Sequence, residues 1–209
     1  MVARHPAKFS DEILAHIASV LVGYDRVLDP FAGTGRIHRL KNETWGIEIE
    51  PEWATMVPGT LVGDALVLPF RDCTFDAVAT SPTYGNRMAD HHEARDASKR
   101  NTYRHALSRP LHGNNSGGLQ WGDSYRDFHR RAWIEAVRIL RPGGRFVLNI
   151  KNHIRKGEEQ LVSEWHHTVL STLLEPVAEF KVEAPGLRQG ANSDLRVDHE
   201  WVYVFDNIL

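Results

Sequence analysis

The chain has 209 residues, 42% of them hydrophobic, which suits one domain with a packed core and leaves no room for a second full domain. A formal net charge of −2 requires any nucleic-acid-binding surface to be local. The single cysteine, Cys73, excludes an intrachain disulfide and a multi-cysteine zinc site. No apolar stretch approaches the ~20 residues that span a bilayer. Met1-Val2-Ala3-Arg4-His5-Pro6 lacks the apolar core of a signal peptide, so a cytoplasmic protein is expected.

His5-Pro6-Ala7-Lys8-Phe9 reads as an extended lead-in. Ser10-Asp11-Glu12 opens a helix, with serine as N-cap and acids in the first turn. Ile13, Leu14, Ile17, Val20 and Leu21 share one face at helical spacing, and Gly23 ends the run. Arg26-Val27-Leu28 then leads into Asp29-Pro30-Phe31-Ala32-Gly33-Thr34-Gly35, a strand, a glycine turn and the start of a short helix. Gly33 and Gly35 take positive φ freely and carry no Cβ, so a ligand can touch backbone there; a plain strand-to-helix turn is the alternative. In an open α/β sheet this turn lies at the carboxyl end of the first strand, where ligands bind.

Thr44-Trp45-Gly46-Ile47-Glu48-Ile49 reads as the second strand. Glu48, at its end, suits both hydroxyls of a ribose, and Ile49 suits the face of an adenine. Glu50 reads as a helix-start charge before Pro51-Glu52. Leu61-Val62-Gly63-Asp64-Ala65 is a third strand and its exit, and Phe75-Asp76-Ala77-Val78-Ala79 is a fourth, running into Thr80-Ser81-Pro82-Thr83-Tyr84.

Residues 85–124 break the pattern. Between Asn86 and His112, six basic residues (Arg87, Arg95, Lys99, Arg100, Arg104, Arg109) stand against three acids, with histidines and Tyr103 interleaved. A loop this long in a compact domain is functional or a solvated insertion; its charge suits phosphate contacts. Gly113-Asn114-Asn115-Ser116-Gly117-Gly118 reads as a flexible hinge. His91-His92 has no cysteine partner at metal-site spacing, so no metal is expected. A long helix runs from Ser124 to Leu140 and stops at Arg141-Pro142-Gly143-Gly144. A fifth strand over 145–150 leads to the basic segment Lys151-Asn152-His153-Ile154-Arg155-Lys156, then to a helix over 159–174 and strands over 177–182 and 200–205. Strands alternating with helices, closed by a strand pair, predict a doubly wound α/β sheet.

The two turn segments together resemble the amino-group DNA methyltransferases, which methylate adenine N6 or cytosine N4 from S-adenosylmethionine. Their first motif, Asp-x-Phe-x-Gly-x-Gly, matches at Asp29, Phe31, Gly33 and Gly35. Their second, Asp/Asn/Ser-Pro-Pro-Tyr/Phe, matches at Ser81, Pro82 and Tyr84, with Thr83 where a second proline is usual. The resemblance implies a Rossmann-like class I methyltransferase sheet of seven strands, the last antiparallel. It implies a cofactor site of Lys8, Phe9, Asp29, Phe31, Gly33, Gly35, Glu48, Ile49, Asp64 and Ala65, with Asp29 near the methionine amino group and Asp64 near the adenine amino group.

The same resemblance assigns the target base to Ser81, Pro82 and Tyr84. An exocyclic base nitrogen is a poor nucleophile, because its lone pair is delocalised into the ring, so catalysis is mostly positioning. The Ser81 hydroxyl and Pro82 carbonyl suit acceptance of hydrogen bonds from the amino group, and these strengthen as charge develops. Tyr84 offers a stacking face for a flipped base. Thr83 removes one source of rigidity. Arg87, Lys99, Arg100, Arg104, Arg109, Lys151 and Arg155 are the residues expected to grip DNA, double-stranded with a flipped base or single-stranded. Two rivals stand beside this reading: an RNA base methyltransferase, and a cofactor- or nucleic-acid-binding protein without catalysis.

Overall fold

Five parallel strands form one side of a seven-stranded sheet: β1 (Arg26–Asp29), β2 (Glu43–Glu48), β3 (Thr60–Val62), β4 (Phe75–Thr80) and β5 (Leu140–Ile150). The structure is a computed structural model and describes residues 10–85, 102–184 and 195–208. A hairpin, β6 (His153–Arg155) and β7 (Glu158–Gln160), stands apart from the sheet, which β8 (Glu175–Glu183) and β9 (His199–Asp206) complete. The order is β3-β2-β1-β4-β5-β9-β8, and β9 runs antiparallel to both neighbours. This is the predicted α/β sheet with its last strand antiparallel.

Helices α1 (Asp11–Val20), α2 (Pro51–Ala54), α3 (Tyr103–Leu107), α4 (Asp123–Arg138) and α5 (Val162–Ser171) connect the strands. The central strands read as continuous apolar runs because both of their faces are covered. Side chains alternate along a strand. Ala77, Ala79 and Val147 therefore pack with Ile13 and Ile17 of α1, while Val78, Phe146 and Leu148 pack with Trp133 of α4 and Leu170 of α5. Ser10 caps α1 as predicted, its hydroxyl accepting from Ile13 N at 3.1 Å. Among the described residues no helix is long and apolar enough to cross a membrane.

The strand order places the functional crevice. From β1 the chain passes to β2 on one side and later returns to β4 on the other, so the carboxyl ends of β1 and β4 flank a topological switch point.

Three segments differ from the sequence-based reading. Residues 159–174 are not one helix. Lys156 and Gly157 take consecutive positive φ values of 53° and 82°, the left-handed pair that closes a two-residue hairpin, and Glu158–Gln160 pairs back on His153–Arg155. Helix α5 begins only at Val162. Next, Arg141-Pro142-Gly143-Gly144 does not separate α4 from β5. The helix ends at Arg138, and Leu140 already pairs with Phe75 ahead of a bulge.

Lastly, the glycine-rich stretch over 113–118 is packed at its centre, where Asn115, Ser116 and Gly117 are buried. Asn115 Oδ1 accepts from Gly117 N at 2.8 Å, and Ser116–Gly118 form a 3-10 turn. A Cβ on Gly117 would lie 2.5 Å from the Tyr103 ring. Gly117 lets the chain approach Tyr103 closely.

Candidate active site

The site is built from carboxylates at the ends of β1, β2 and β3 and from the loop that leaves β4. Gly33 and Gly35 have positive φ, 54° and 71°, as the turn after β1 requires. Asp29 ends β1 and is 1% exposed; its Oδ1 accepts from Phe31 N at 3.0 Å and from the Thr80 hydroxyl at 2.7 Å. Burial pushes its pKa up to about 7 against these two stabilising bonds.

Glu48 ends β2. Its Oε2 accepts from Gly33 N and its Oε1 from Glu50 N, both at 2.9 Å, so this acid shapes the glycine turn itself. Burial, with the nearby Glu50 charge adding, raises its pKa to about 7. Ile49 follows, partly exposed. Past β3, Asp64 Oδ1 accepts from Leu66 N at 2.9 Å and Oδ2 from Asn114 Nδ2 at 2.8 Å, and Ala65 is buried behind it. The Phe31 ring packs on His129 of α4 at 5.8 Å and edge-on to Trp133, which seats the turn on that helix.

Glu50 stands at the start of α2, as the sequence suggests, but its side chain does more than charge a helix end: it is a fully buried carboxylate that holds the segment after α3, Oε1 accepting from His112 N at 2.8 Å and Asn115 Nδ2 at 2.7 Å, and Oε2 pairing with Arg109 at 2.7 Å. Arg109 also bonds Glu52 through Nε at 2.7 Å. Tyr103, buried beside Trp53, lies near enough to Glu48 for that charge to add to the burial that raises its own pKa. Residues of the inserted segment thus wall the carboxylate side of the site. Sequence reasoning missed Glu50, Tyr103 and Asn114 in this role.

At the end of β4, Ser81 and Tyr84 are hydrogen-bonded to each other at 2.9 Å. The Tyr84 hydroxyl reaches Asn149 Oδ1 and Glu200 Oε2, each at 3.4 Å, and Asn149 donates to Glu200 at 3.0 Å. Burial first, then the Glu200 charge, holds the Tyr84 phenol well above its ordinary pKa, so it is protonated and a donor. With that proton directed to Glu200 or Asn149, the Ser81 hydroxyl donates to Tyr84 and keeps its lone pairs for an incoming N–H. Pro82 is buried between them. Asn149 and Glu200 are further residues that sequence reasoning missed.

Thr83 is held on two sides. Its hydroxyl donates to Ser116 Oγ at 3.0 Å, and its carbonyl accepts from the Tyr125 hydroxyl at 2.6 Å. Gly85, φ 65°, accepts from Trp121 N at 3.2 Å. Hydrogen bonds supply the rigidity that a second proline would otherwise give.

Of the basic residues predicted to grip DNA, Arg104 is exposed on α3. Arg109 is engaged with Glu50 and Glu52; Arg155 donates to Trp121 O at 3.2 Å and Gln120 Oε1 at 2.6 Å. Lys151 donates to Ala184 O at 2.9 Å, and burial lowers its pKa. Lys8, Phe9, Arg87, Lys99 and Arg100 lie outside the described residues.

No protein-family model and no curated protein matches the chain. Solved structures do. A SAM-dependent methyltransferase from Methanosarcina mazei matches with a TM-score of 0.59 at 14% identity, over 97% of this chain and 100% of that one. TrmN from Thermus thermophilus matches with a TM-score of 0.61 at 15% identity, over 98% of this chain and 51% of that one. The N-methyltransferase NodS from Bradyrhizobium japonicum matches with a TM-score of 0.54 at 14% identity, over 95% and 99%. The chain shares the fold of these methyltransferases.

Proposed function

We propose that the chain is an S-adenosylmethionine-dependent methyltransferase acting on the exocyclic amino group of cytosine or adenine in DNA. One observation carries this reading: Thr80, the residue before Ser81-Pro82-Thr83-Tyr84, is hydrogen-bonded to Asp29 of the glycine-turn strand at 2.7 Å. The two motifs named in the sequence thus meet at the switch point of a sheet shared with methyltransferases.

The residues present fit the cofactor. Glu48, held through its Oε2 by Gly33 N and through its Oε1 by Glu50 N, has acceptor capacity left for ribose hydroxyls. Among the described residues both donors to Asp29 go to Oδ1, which leaves Oδ2 for an ammonium group. Asp64 and Asn114 present an acceptor and an amide to an adenine edge. The bound cofactor supplies an electrophilic methyl on a cationic sulfur.

The chain's own residues do the positioning. Ser81 and the Pro82 carbonyl accept hydrogen bonds from the amino group, which localises the nitrogen lone pair and stabilises the charge that grows on it. The Tyr84 ring, fixed by Asn149 and Glu200, borders the base. The bound cofactor would give up its methyl group and keep the carbon–sulfur bonding pair, and the amino nitrogen held by Ser81 and Pro82 would release one proton to water. The exposed Arg104 lies where it would reach a phosphate of the bound strand.

The test is methyl transfer from labelled cofactor to unmethylated DNA and, separately, to RNA. Label in DNA is the expected result. Label in RNA alone would move the substrate to RNA. Label in neither, with cofactor bound, would mark a binding protein without catalysis.

A further inference from the structure

Three polar side chains are buried in the apolar layer between α4, α5 and the sheet, and they form a line that ends on the loop after β4. Tyr125, Trp133 and His166 are each fully buried. Trp133 Nε1 donates to His166 Nδ1 at 2.9 Å; His166 Nε2 lies 2.9 Å from the Tyr125 hydroxyl; that hydroxyl donates to the Thr83 carbonyl at 2.6 Å. An indole N–H only donates, so His166 Nδ1 carries no proton. The single phenol proton goes to Thr83, so the Tyr125 oxygen accepts from His166 Nε2–H. The types of the partners alone thus assign one tautomer, in which every proton has one destination.

A buried polar chain of this kind does little for stability that apolar side chains of similar volume would not do, but when fully satisfied it specifies one arrangement. Here the arrangement ends at a named point. The Thr83 carbonyl belongs to the Thr83–Tyr84 peptide, so fixing it fixes the plane from which the Tyr84 ring departs. His129 packs against the same group, its Nδ1 2.9 Å from the Tyr125 carbonyl and its ring 5.2 Å from His166, which keeps the chain away from water.

We propose that Trp133, His166 and Tyr125 are positioning residues for the base-binding loop, holding the Thr83 carbonyl so that Ser81 and Tyr84 face the target amino group. The catalytic part of this inference rests on the DNA reading above; the structural part, that the line immobilises residues 81–85, does not.

The experiment compares wild type with Tyr125→Phe, His166→Gln and His166→Leu. It reads methyl transfer to DNA, cofactor affinity and amide exchange over residues 80–86. Removing the phenol proton in Tyr125→Phe is expected to lower kcat about tenfold, with cofactor Kd and DNA KM within about twofold. Amide exchange over 80–86 rises about tenfold, the equivalent of one lost hydrogen bond. His166→Gln keeps an N–H donor toward Tyr125 and retains most of the rate, whereas His166→Leu behaves like Tyr125→Phe. Wild-type kcat and wild-type exchange in Tyr125→Phe would overturn the proposal. So would equal losses in the Gln and Leu variants, which decide the matter if Tyr125→Phe does not fold. If wild type transfers no methyl to DNA, the substrate reading fails and the exchange rates alone decide the positioning role.

Discussion

Thr80 donates its hydroxyl proton to Asp29 across 2.7 Å, in a site where Asp29 is 1% and Thr80 0% exposed. This bond ties the last residue of β4 to the last residue of β1, and so ties the loop proposed to hold the base to the turn proposed to hold the cofactor. Replacing Thr80 with valine keeps the shape and removes the donor. A buried acceptor stripped of a partner costs about 1–3 kcal/mol. Urea unfolding is expected to show a loss in that range, and calorimetry a several-fold weaker cofactor affinity. Wild-type values of both would show that the bond couples nothing.

If the acids at the strand ends hold the cofactor as proposed, its binding depends on pH. Asp29 and Glu48 each have pKa values raised to about 7, chiefly by burial. The ionised forms are the ones proposed to receive the cofactor's cationic and hydroxyl groups, so affinity is expected to rise as pH increases through about 7, with protons released on binding. For one such group the gain between about pH 6 and pH 8 is about tenfold. Titration calorimetry in buffers of different ionisation enthalpy reads both effects, and Asp29→Asn is expected to flatten the profile.

The same shifts set opposing trends in stability. In the folded chain the two acids keep protons that the unfolded chain has released above their ordinary values of 3.8 and 4.5, so their contribution falls as pH rises from about 4 to about 7. Buried His129 and half-buried His153 act the other way. Their pKa values fall from 6.5 to about 3 and about 4, so the unfolded chain takes up protons first and stability is lost as pH drops below about 6.5. Glu48→Gln removes one of the opposing acids. Its unfolding free energy is expected to rise more steeply with pH over this window than that of wild type.

Arg109→Ala leaves Glu50 buried without its cation. Because the Arg109 side chain is 36% exposed and the Glu50 side chain 0%, the pair is partly screened, and the expected loss is about 1–2 kcal/mol, below that of a fully buried pair. The segment carrying His112, Asn114 and Asn115 is fastened to the same carboxylate, so protease cutting near residue 112 is expected to increase. Arg109→Lys, which cannot bond Glu50 and Glu52 together with the same planar fork, is expected to recover only part of the loss.

Thr83→Pro restores the residue usual in the resembled family but deletes the hydroxyl that reaches Ser116. The Thr83 carbonyl keeps its bond from Tyr125. The loop is already held, so methyl-transfer rates are expected to stay within about threefold of wild type. A gain of a hundredfold would mean that Thr83 is the defect its position in the sequence suggests.

Much of this site is legible in the chain itself. The glycine turn, the strand-end acids and Ser81-Pro82-Thr83-Tyr84 announce themselves because local composition dictates local backbone. Alternating strands and helices dictate the layered sheet. What stays hidden depends on partners far away in sequence. Glu50 looks like a helix-start charge because Arg109 and Asn115 are 59 and 65 residues away. Gly117 looks like a hinge because nothing nearby in sequence reveals the Tyr103 ring against it. The hairpin over 153–160 escapes notice because its strands are three residues each, too short for a period to show.

The position of the transferred methyl group tests the central claim most directly. DNA treated with the wild-type chain and labelled cofactor is digested to nucleosides and weighed, alongside DNA treated with Ser81→Ala. N4-methylcytosine or N6-methyladenine is the expected product, reduced about a hundredfold by Ser81→Ala. A methyl group on a ring carbon, or no methylated nucleoside from DNA while the cofactor binds, would contradict it.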